Sequence, residues 1–412
     1  MPKHIEAVVI GGGQAGLAIS YYLTQQGRAH LVLEQAGDTV PAWRHARWDS
    51  FALVTPNWTV RLPGFPYEGG DPDGFMPRAE VVSHLERYAA SFEAPVQCGV
   101  QVTAVDPTPD GRGYCVATAA GTTYVATIVV VATGSFQFPK PSPLSGALPP
   151  SIFQLHSSDY RNPRGLPPGA VLVVGSADTG CQLAEELNES GRHVYLCVGR
   201  AVRRPRRYRG KDAMFWSVTQ RTIEQTEFPS PGARFAPNPQ LTGKNGGHTL
   251  NLHQLANDGV TWLGRLVAVD GDRIALAPDL QKNLTNADKA SQAFKDGVDE
   301  FVRSTGMVVP KAEPDPLDEA RSDAGSHAPD TLHLKAAGVT TVLWANGYGF
   351  DYRFVHLPVC DAYGFPVQQR GVTSFPGLYF LGMNRLYDRK SGILLGVGDD
   401  AAHIAAAMDA GG

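Results

Sequence analysis

Gly11, Gly13 and Gly16 stand in GGGQAG, and Gly175 and Gly180 stand in GSADTG. Glycines at this spacing suit one kind of chemistry. The first permits a tight turn, the second lets backbone approach a pyrophosphate, and the third lets a helix pack closely on a strand. The helix that follows turns its free NH groups and the positive end of its dipole toward the phosphates. In the first turn Gln14 and Ala15 fill the remaining positions, and Glu34 ends the next apolar run, where an acid holds ribose hydroxyls. This reads as a dinucleotide site; the competing reading is a tight turn with no ligand.

The second turn is altered. Ala177 replaces the middle glycine, and Asp178 and Thr179 follow it. A methyl group there crowds a phosphate, and overpacking costs about 1–3 kcal/mol. A carboxylate beside a pyrophosphate repels it. Downstream, VGRAVRRPRRYRGKD places Arg200, Arg203 and Arg204 just after the next strand. A 2′-phosphate would lie there if the adenosine of NADP sat on this unit. These arginines are expected to select NADPH over NADH, against the alternative of a solvated basic loop. One turn would then hold a resident nucleotide and the other a visiting one.

The elements that must position these residues are legible. Ala7 to Ile10 is a buried parallel strand, Gln14 to Gln26 a helix ended by Gly27, and His30 to Glu34 a second strand. A helix is expected over Arg78 to Ser91. A second β-α-β unit runs from Ala170 to Gly199. Lys282 to Ser304 reads as a surface helix with Phe294, Val298 and Phe301 as a thin stripe, Pro310 to Asp330 as an exposed loop, and Ala401 to Met408 as a terminal helix. The fold class is α/β with two Rossmann-like dinucleotide-binding domains. The first covers 1–165 and 335–412, with the second, 166–334, inserted and carrying a helical insertion near 282–304.

The 412 residues suit two domains, and a hydrophobic content of 43% supports a sizeable core. With 36 basic against 40 acidic residues, general nucleic-acid binding is disfavoured. The five cysteines are scattered and never form CxxC, which argues against a zinc site or a redox-active disulfide and for a reducing compartment. No apolar run reaches the roughly 18 residues of a membrane span, and no signal peptide precedes the first strand. A soluble cytoplasmic protein with no metal and no membrane partner is expected.

Two nucleotide units, with glycine-ended strands at VVVATGSF (Gly134) and LWANGY, resemble the two-dinucleotide-binding flavoproteins. Within these the chain resembles the flavin-containing monooxygenases, including the plant YUCCA type and bacterial relatives. The carriers are GGGQAG, AWRHARWDSFALVTPNWTVRLPGFPY, ATGSFQFPKP, LHSSDYRNP, VVGSADTG, WANGY and GLYFLGM, spread over most of the chain. The segments around Tyr208 to Gly210 and Ser391 to Val397 suggest a bacterial branch. Of the family fingerprint FxGxxxHxxxY, His156 and Tyr160 keep the second half, while Pro150 and Ile152 replace the Phe and Gly. No Trp-Pro follows the His, so no Baeyer–Villiger motif is present.

The resemblance implies FAD in the first turn, NADPH in the second, and a C4a-hydroperoxyflavin that oxygenates a small molecule with O2. N- or S-oxygenation ranks first and Baeyer–Villiger insertion second. Two alternatives stay open: an FAD-dependent NAD(P)H oxidase or reductase without oxygen insertion, and a flavoprotein with weak NADP binding and a non-catalytic role. A homodimer is left open. By resemblance Asn57 donates to the oxygenated flavin or is a turn residue. Trp43 and Arg44 contact the flavin or pack the domains together. Gly382 and Leu394 lie beside the isoalloxazine. Arg389 and Lys390 face substrate or solvent, and His156 serves as a hinge residue rather than a base.

Overall fold

Val8 and Val9 point to opposite faces of one strand, as successive strand residues must, and both are fully buried. A strand buried on both faces belongs inside a three-layer arrangement. The computed structural model, which describes residues 1–200, 202–324 and 328–410, contains two such arrangements.

In chain order the first unit supplies β1 (Ala7–Ile10), α1 (Gln14–Gln25), β2 (His30–Leu33), α2 (Arg78–Ser91), β3 (Val96–Gln97) and β4 (Ile128–Val131). The second supplies β5 (Phe153–His156), β6 (Ala170–Val174), α3 (Asp178–Glu189), β7 (Val194–Cys197), α4 (Ala213–Thr219), β8 (Thr261–Leu263), α5 (Leu280–Thr305) and β9 (Val339–Trp344). The chain then returns to the first unit with β10 (Leu378–Phe380) and α6 (Val397–Ala410).

The two sheets run β10-β4-β1-β2-β3 and β5-β9-β6-β7-β8, and every pairing in them is parallel. On one face of the first sheet, Val9 and Val130 meet Leu17, Leu85 and Ile404 of α1, α2 and α6. On the other, Val8 and Val129 meet Val105, Val116 and Tyr124 of a four-stranded sheet. The second unit repeats this layout. Val171 and Val173 pack on Leu183 and Leu187 of α3, while Leu172 and Val342 pack on Ile274 and Leu276 of a three-stranded antiparallel sheet.

Three expectations need adjustment. The boundaries at 165/166 and 334/335 fall inside the second unit, because β5 and β9 hydrogen-bond into its sheet on the far side of β6. The true connections are Phe138–Pro139 and Tyr348–Gly349, which pair antiparallel with each other. The helix near 282–304 spans 280–305 and buries Leu280, Leu284, Ala287, Ser291 and Val298, so that of the expected stripe Val298 is buried while Phe294 and Phe301 are only partly so; Gly306, at φ 67°, ends it. The segment after Pro310 is not simply an exposed loop. Asp318 is buried, and Asn251 Nδ2 donates to the carbonyls of Leu317, Asp318 and Ala320.

Candidate functional site

Each parallel sheet ends in the same kind of turn. Gly11 has φ 111°, and a Cβ there would stand 2.7 Å from Ala132 O at the end of β4. Gly175 has φ 115°, and its Cβ would stand 2.5 Å from Ala345 O at the end of β9. A Cβ on Gly16 would overlap Gly11 O, and one on Gly180 would overlap Gly175 O. These four glycines are required by the close approach of the protein to itself.

Gly13 differs from them. It caps α1 with φ −82° and ψ −172°, and a Cβ there would meet nothing within 4 Å. Ala177 caps α3 with nearly the same backbone, φ −71° and ψ −176°. The chain does not need glycine at either position, so only a ligand in front of the turn would feel the side chain.

Around the first turn, Glu34 is buried and its carboxylate accepts from Gly12 N (2.7 Å) and Ala36 N (2.9 Å). Gln14 Nε2 donates to Gly392 O (3.0 Å), and Trp43 Nε1 donates to Gln14 Oε1 (3.2 Å). One side chain at the start of α1 thus joins Trp43 to loop 391–395. A Cβ on Gly382 would overlap Ala15 Cβ. Gly134 O accepts from Tyr352 Oη (3.0 Å), and Asn384 N donates to Ser135 Oγ (2.8 Å). The expected residues Gly11, Gly13, Gln14, Ala15, Gly16, Glu34, Trp43, Gly134 and Gly382 therefore gather at one end of the first sheet. Leu394 belongs with them only through its backbone: its side chain turns into the core, and its carbonyl accepts from Arg61 N (3.2 Å).

Around the second turn, Ser176 Oγ accepts from Gly199 N (2.9 Å), tying the loop to the end of β7. Asp178 Oδ1 accepts from Thr179 N (3.0 Å). Burial pushes the Asp178 carboxyl above its ordinary range, against the opposing pull of that hydrogen bond and of Arg47. Arg47 gave no separate signal in the sequence. Its guanidinium lies 5.5 Å from the Trp43 ring centroid, 5.6 Å from Phe51 and 5.8 Å from Phe136. The aromatic spacing of AWRHARWDSF was the available clue.

Several expected roles do not survive the geometry. Asn57 is buried, its Nδ2 donates to Asp71 O (2.9 Å), and its Oδ1 accepts from Met76 N (2.8 Å). It pins the 71–76 loop instead of offering an open amide to a flavin. Arg44 pairs with Asp38 (3.3 Å) and Glu86, so it is committed at the rim. Arg203 is 2% exposed and pairs with Asp288 (2.8 Å) and Asp318. Arg204 donates to Ser217 Oγ (3.2 Å) and lies 5.1 Å from the Phe294 ring.

Arg206 is taken up by Asp212 (2.6 Å) and Arg209 by Asp299 (2.6 Å), while Arg207 donates to the carbonyls of Gly246 and Gly247. Among the described residues Arg200 is exposed just past the end of β7 without an ion pair, and of the unpaired cations in this loop it stands nearest that strand end in the chain, which makes it the 2′-phosphate candidate. The acids along α5 were the overlooked signal: Asp288 and Asp299 repeat on the helix that faces the loop.

His156 is buried between Ser158 Oγ (3.0 Å) and Gly347 O (2.9 Å), with Tyr348 against its ring at 5.0 Å. Burial lowers its pKa, the hydrogen bond to Gly347 working the other way. It stands beside the paired connections. Among the described residues, no group of His, Cys, Asp or Glu could hold a metal ion, and no helix is long and apolar enough to cross a membrane.

Comparison with known proteins agrees with this geometry. The family model described as pyridine nucleotide-disulphide oxidoreductase matches residues 8–224. A CzcO-like uncharacterized oxidoreductase of Geobacillus kaustophilus is 33% identical over 406 residues, 98% of each chain. The rice indole-3-pyruvate monooxygenase YUCCA4 is 31% identical over 197 residues, 44% of each chain. A flavin-containing monooxygenase from Stenotrophomonas maltophilia superposes with a TM-score of 0.66 over 99% of both chains at 18% identity, which speaks to the fold. The chain belongs to the pyridine nucleotide-disulphide oxidoreductase family, on its flavin monooxygenase side, and is a flavin-dependent oxidoreductase.

Proposed function

We propose that the protein is an FAD-dependent, NADPH-using monooxygenase that oxygenates a small molecule with O2. N- or S-oxygenation is preferred over Baeyer–Villiger insertion. The observation that carries this reading is the matched pair of turns at the ends of two parallel sheets, with open space in front of Gly13.

FAD fits the first turn. The cap of α1 offers unpaired NH groups for a pyrophosphate, and the Glu34 carboxylate stands at the end of β2 for a ribose. NADPH fits the second, with Arg200 at the end of β7 for the 2′-phosphate. When bound, these groups supply hydride transfer and oxygen chemistry. The chain supplies position and dryness. Gln14 holds loop 391–395 and Trp43 together across the start of α1. Trp43 packs against the cores of both units.

The charge of Arg47 works against the burial of the Asp178 carboxyl at the second turn. The same carboxylate favours a second reading, an NAD(P)H oxidase or reductase with looser nucleotide binding. The test is stoichiometry on protein reconstituted with FAD. NADPH should bleach the flavin without oxygen, and a true substrate should suppress H2O2 release while NADPH consumption continues. Full H2O2 yield with every nitrogen, sulfur or ketone compound tried would favour the oxidase.

A further inference from the structure

Arg204 is a cation in the wrong place for its expected partner. Asn283 Nδ2 donates to Val198 O at the end of β7 (3.1 Å), whereas Arg204 lies against Phe294 on the same helix. From Asn283 to Phe294 an α-helix advances about 16 Å. Arg204 is therefore far from the strand end where an adenosine 2′-phosphate belongs.

Its neighbours on α4 lead instead to the chain that follows β10. Arg389 N donates to Ile223 O (3.1 Å), and the Arg389 guanidinium donates to Gln225 Oε1 (3.1 Å). Arg389 stands two residues before Ser391, the start of loop 391–395, whose Gly392 carbonyl is held by Gln14. Ile223, which holds Arg389 N, belongs to a small apolar cluster with Met214 and Leu395, on which Trp58, Val218 and Ile393 pack; Ser217, which accepts from Arg204, is tied to the same turn by Thr222 Oγ1.

Neither arginine forms an ion pair among the described residues. The nearby acids are engaged elsewhere: Glu224 with Arg221 (2.8 Å), Asp399 with Lys390 (2.7 Å), and Asp400 with Arg370 (3.1 Å). Asp388 accepts from Lys390 N (2.9 Å). A partly buried guanidinium without an anion is costly, because buried charges are normally paired. Burial, and then the charge of Arg389, brings Arg204 down to about 10. The same two causes lower Arg385, which is spent on the carbonyls of Ala233, Arg234 and Ala236. The region is partly dry and apolar-floored, and neither arginine meets a carboxylate in it.

We propose that Arg204 and Arg389 form the carboxylate-binding end of the substrate site, and that the substrates are apolar organic acids held beside loop 391–395. This rests on the reading above, in which the flavin lies against that loop. The charge pair fixes one end of the molecule, and the apolar cluster takes its body.

The test is calorimetric binding of phenylacetate and of neutral phenylacetamide to the full chain reconstituted with FAD. Phenylacetate should bind at least tenfold more tightly than the amide. Arg389→Ala, at an exposed position, and Arg204→Met, which keeps the stem on Phe294, should each weaken phenylacetate about tenfold. The amide and NADP+ should be unaffected. Should Arg204→Met fail to fold by circular dichroism, Arg389→Ala decides alone.

The proposal is overturned if phenylacetate does not bind at millimolar concentration, if acid and amide bind alike, or if the variants leave the acid unchanged. It is also overturned if NADP+ affinity falls along with that of the acid, which would assign the pair to a cofactor phosphate. Anaerobic bleaching by NADPH is read separately. Arginine-dependent acid binding without bleaching would sink the monooxygenase reading and leave the anion site standing.

Discussion

Ala177 has an ordinary φ of −71°, so its backbone makes no demand for glycine. Its methyl matters only to whatever lies in front of α3. Ala177→Gly with Asp178→Asn should therefore leave thermal stability nearly unchanged and lower the Kd for NADP+ at least fivefold, by relief of about 1 kcal/mol of crowding and of charge repulsion. Unchanged or weaker binding by calorimetry would show that the phosphates lie elsewhere. The arginines of the basic loop should separate in the same way. Arg200→Ala should reduce the kcat/KM preference for NADPH over NADH about tenfold or more at normal stability. Arg203→Met should instead destabilise the fold by about 3 kcal/mol or more in urea, because Asp288 and Asp318 lose their buried partner. If Arg203→Met shifted coenzyme preference at full stability, the ion-pair assignment would be wrong.

Among elements, the first strand–turn–helix divides its glycines by purpose. A methyl on Gly16 collides with Gly11 O, which sits in backbone that cannot move without separating α1 from β1. A methyl on Gly13 collides with nothing in the protein. Gly16→Ala should give little folded protein, whereas Gly13→Ala should keep its circular dichroism spectrum and lose FAD on gel filtration. A Gly13→Ala protein that retains FAD would remove the pyrophosphate from this turn.

The sequence disclosed the elements themselves well, since apolar β-branched runs and helical spacing are local properties. It placed α2 at Arg78 to Ser91 and found both turns. It did not disclose which side chains the tertiary fold would use up. The cations after β7 read as one phosphate site, because the acids that claim Arg203 and Arg209, namely Asp288, Asp318 and Asp299, are distant in the chain. Of the two readings of Asn57 the structure keeps the turn residue, and the choice was not legible because its partners Asp71 and Met76 belong to a loop without periodicity.

At the scale of the molecule, α5 is fastened to the second unit by charge as much as by packing. Burial raises the Asp288 carboxyl, but hydrogen bonds from His253 and Arg203 outweigh it and bring the pKa to about 2. A carboxylate depressed on folding stabilises the protein above its unfolded value of 3.8 and loses that contribution as pH falls toward 2. This one group should account for about 2 kcal/mol of the acid-side loss. Asp288→Asn should flatten the stability profile between those pH values in urea titrations; an identical slope in the variant would assign the acid sensitivity to other groups.

The two connections between the units, Phe138–Pro139 and Tyr348–Gly349, lie side by side in one short ladder. Outgoing and returning chain pass through a single doorway, so everything between them is topologically a cassette. Replacing that cassette with the matching span of a relative cuts no strand of either parallel sheet. On the proposed placement of NADPH in the second unit, recombination at these two neighbouring points should exchange coenzyme preference between such enzymes while the first unit is inherited whole.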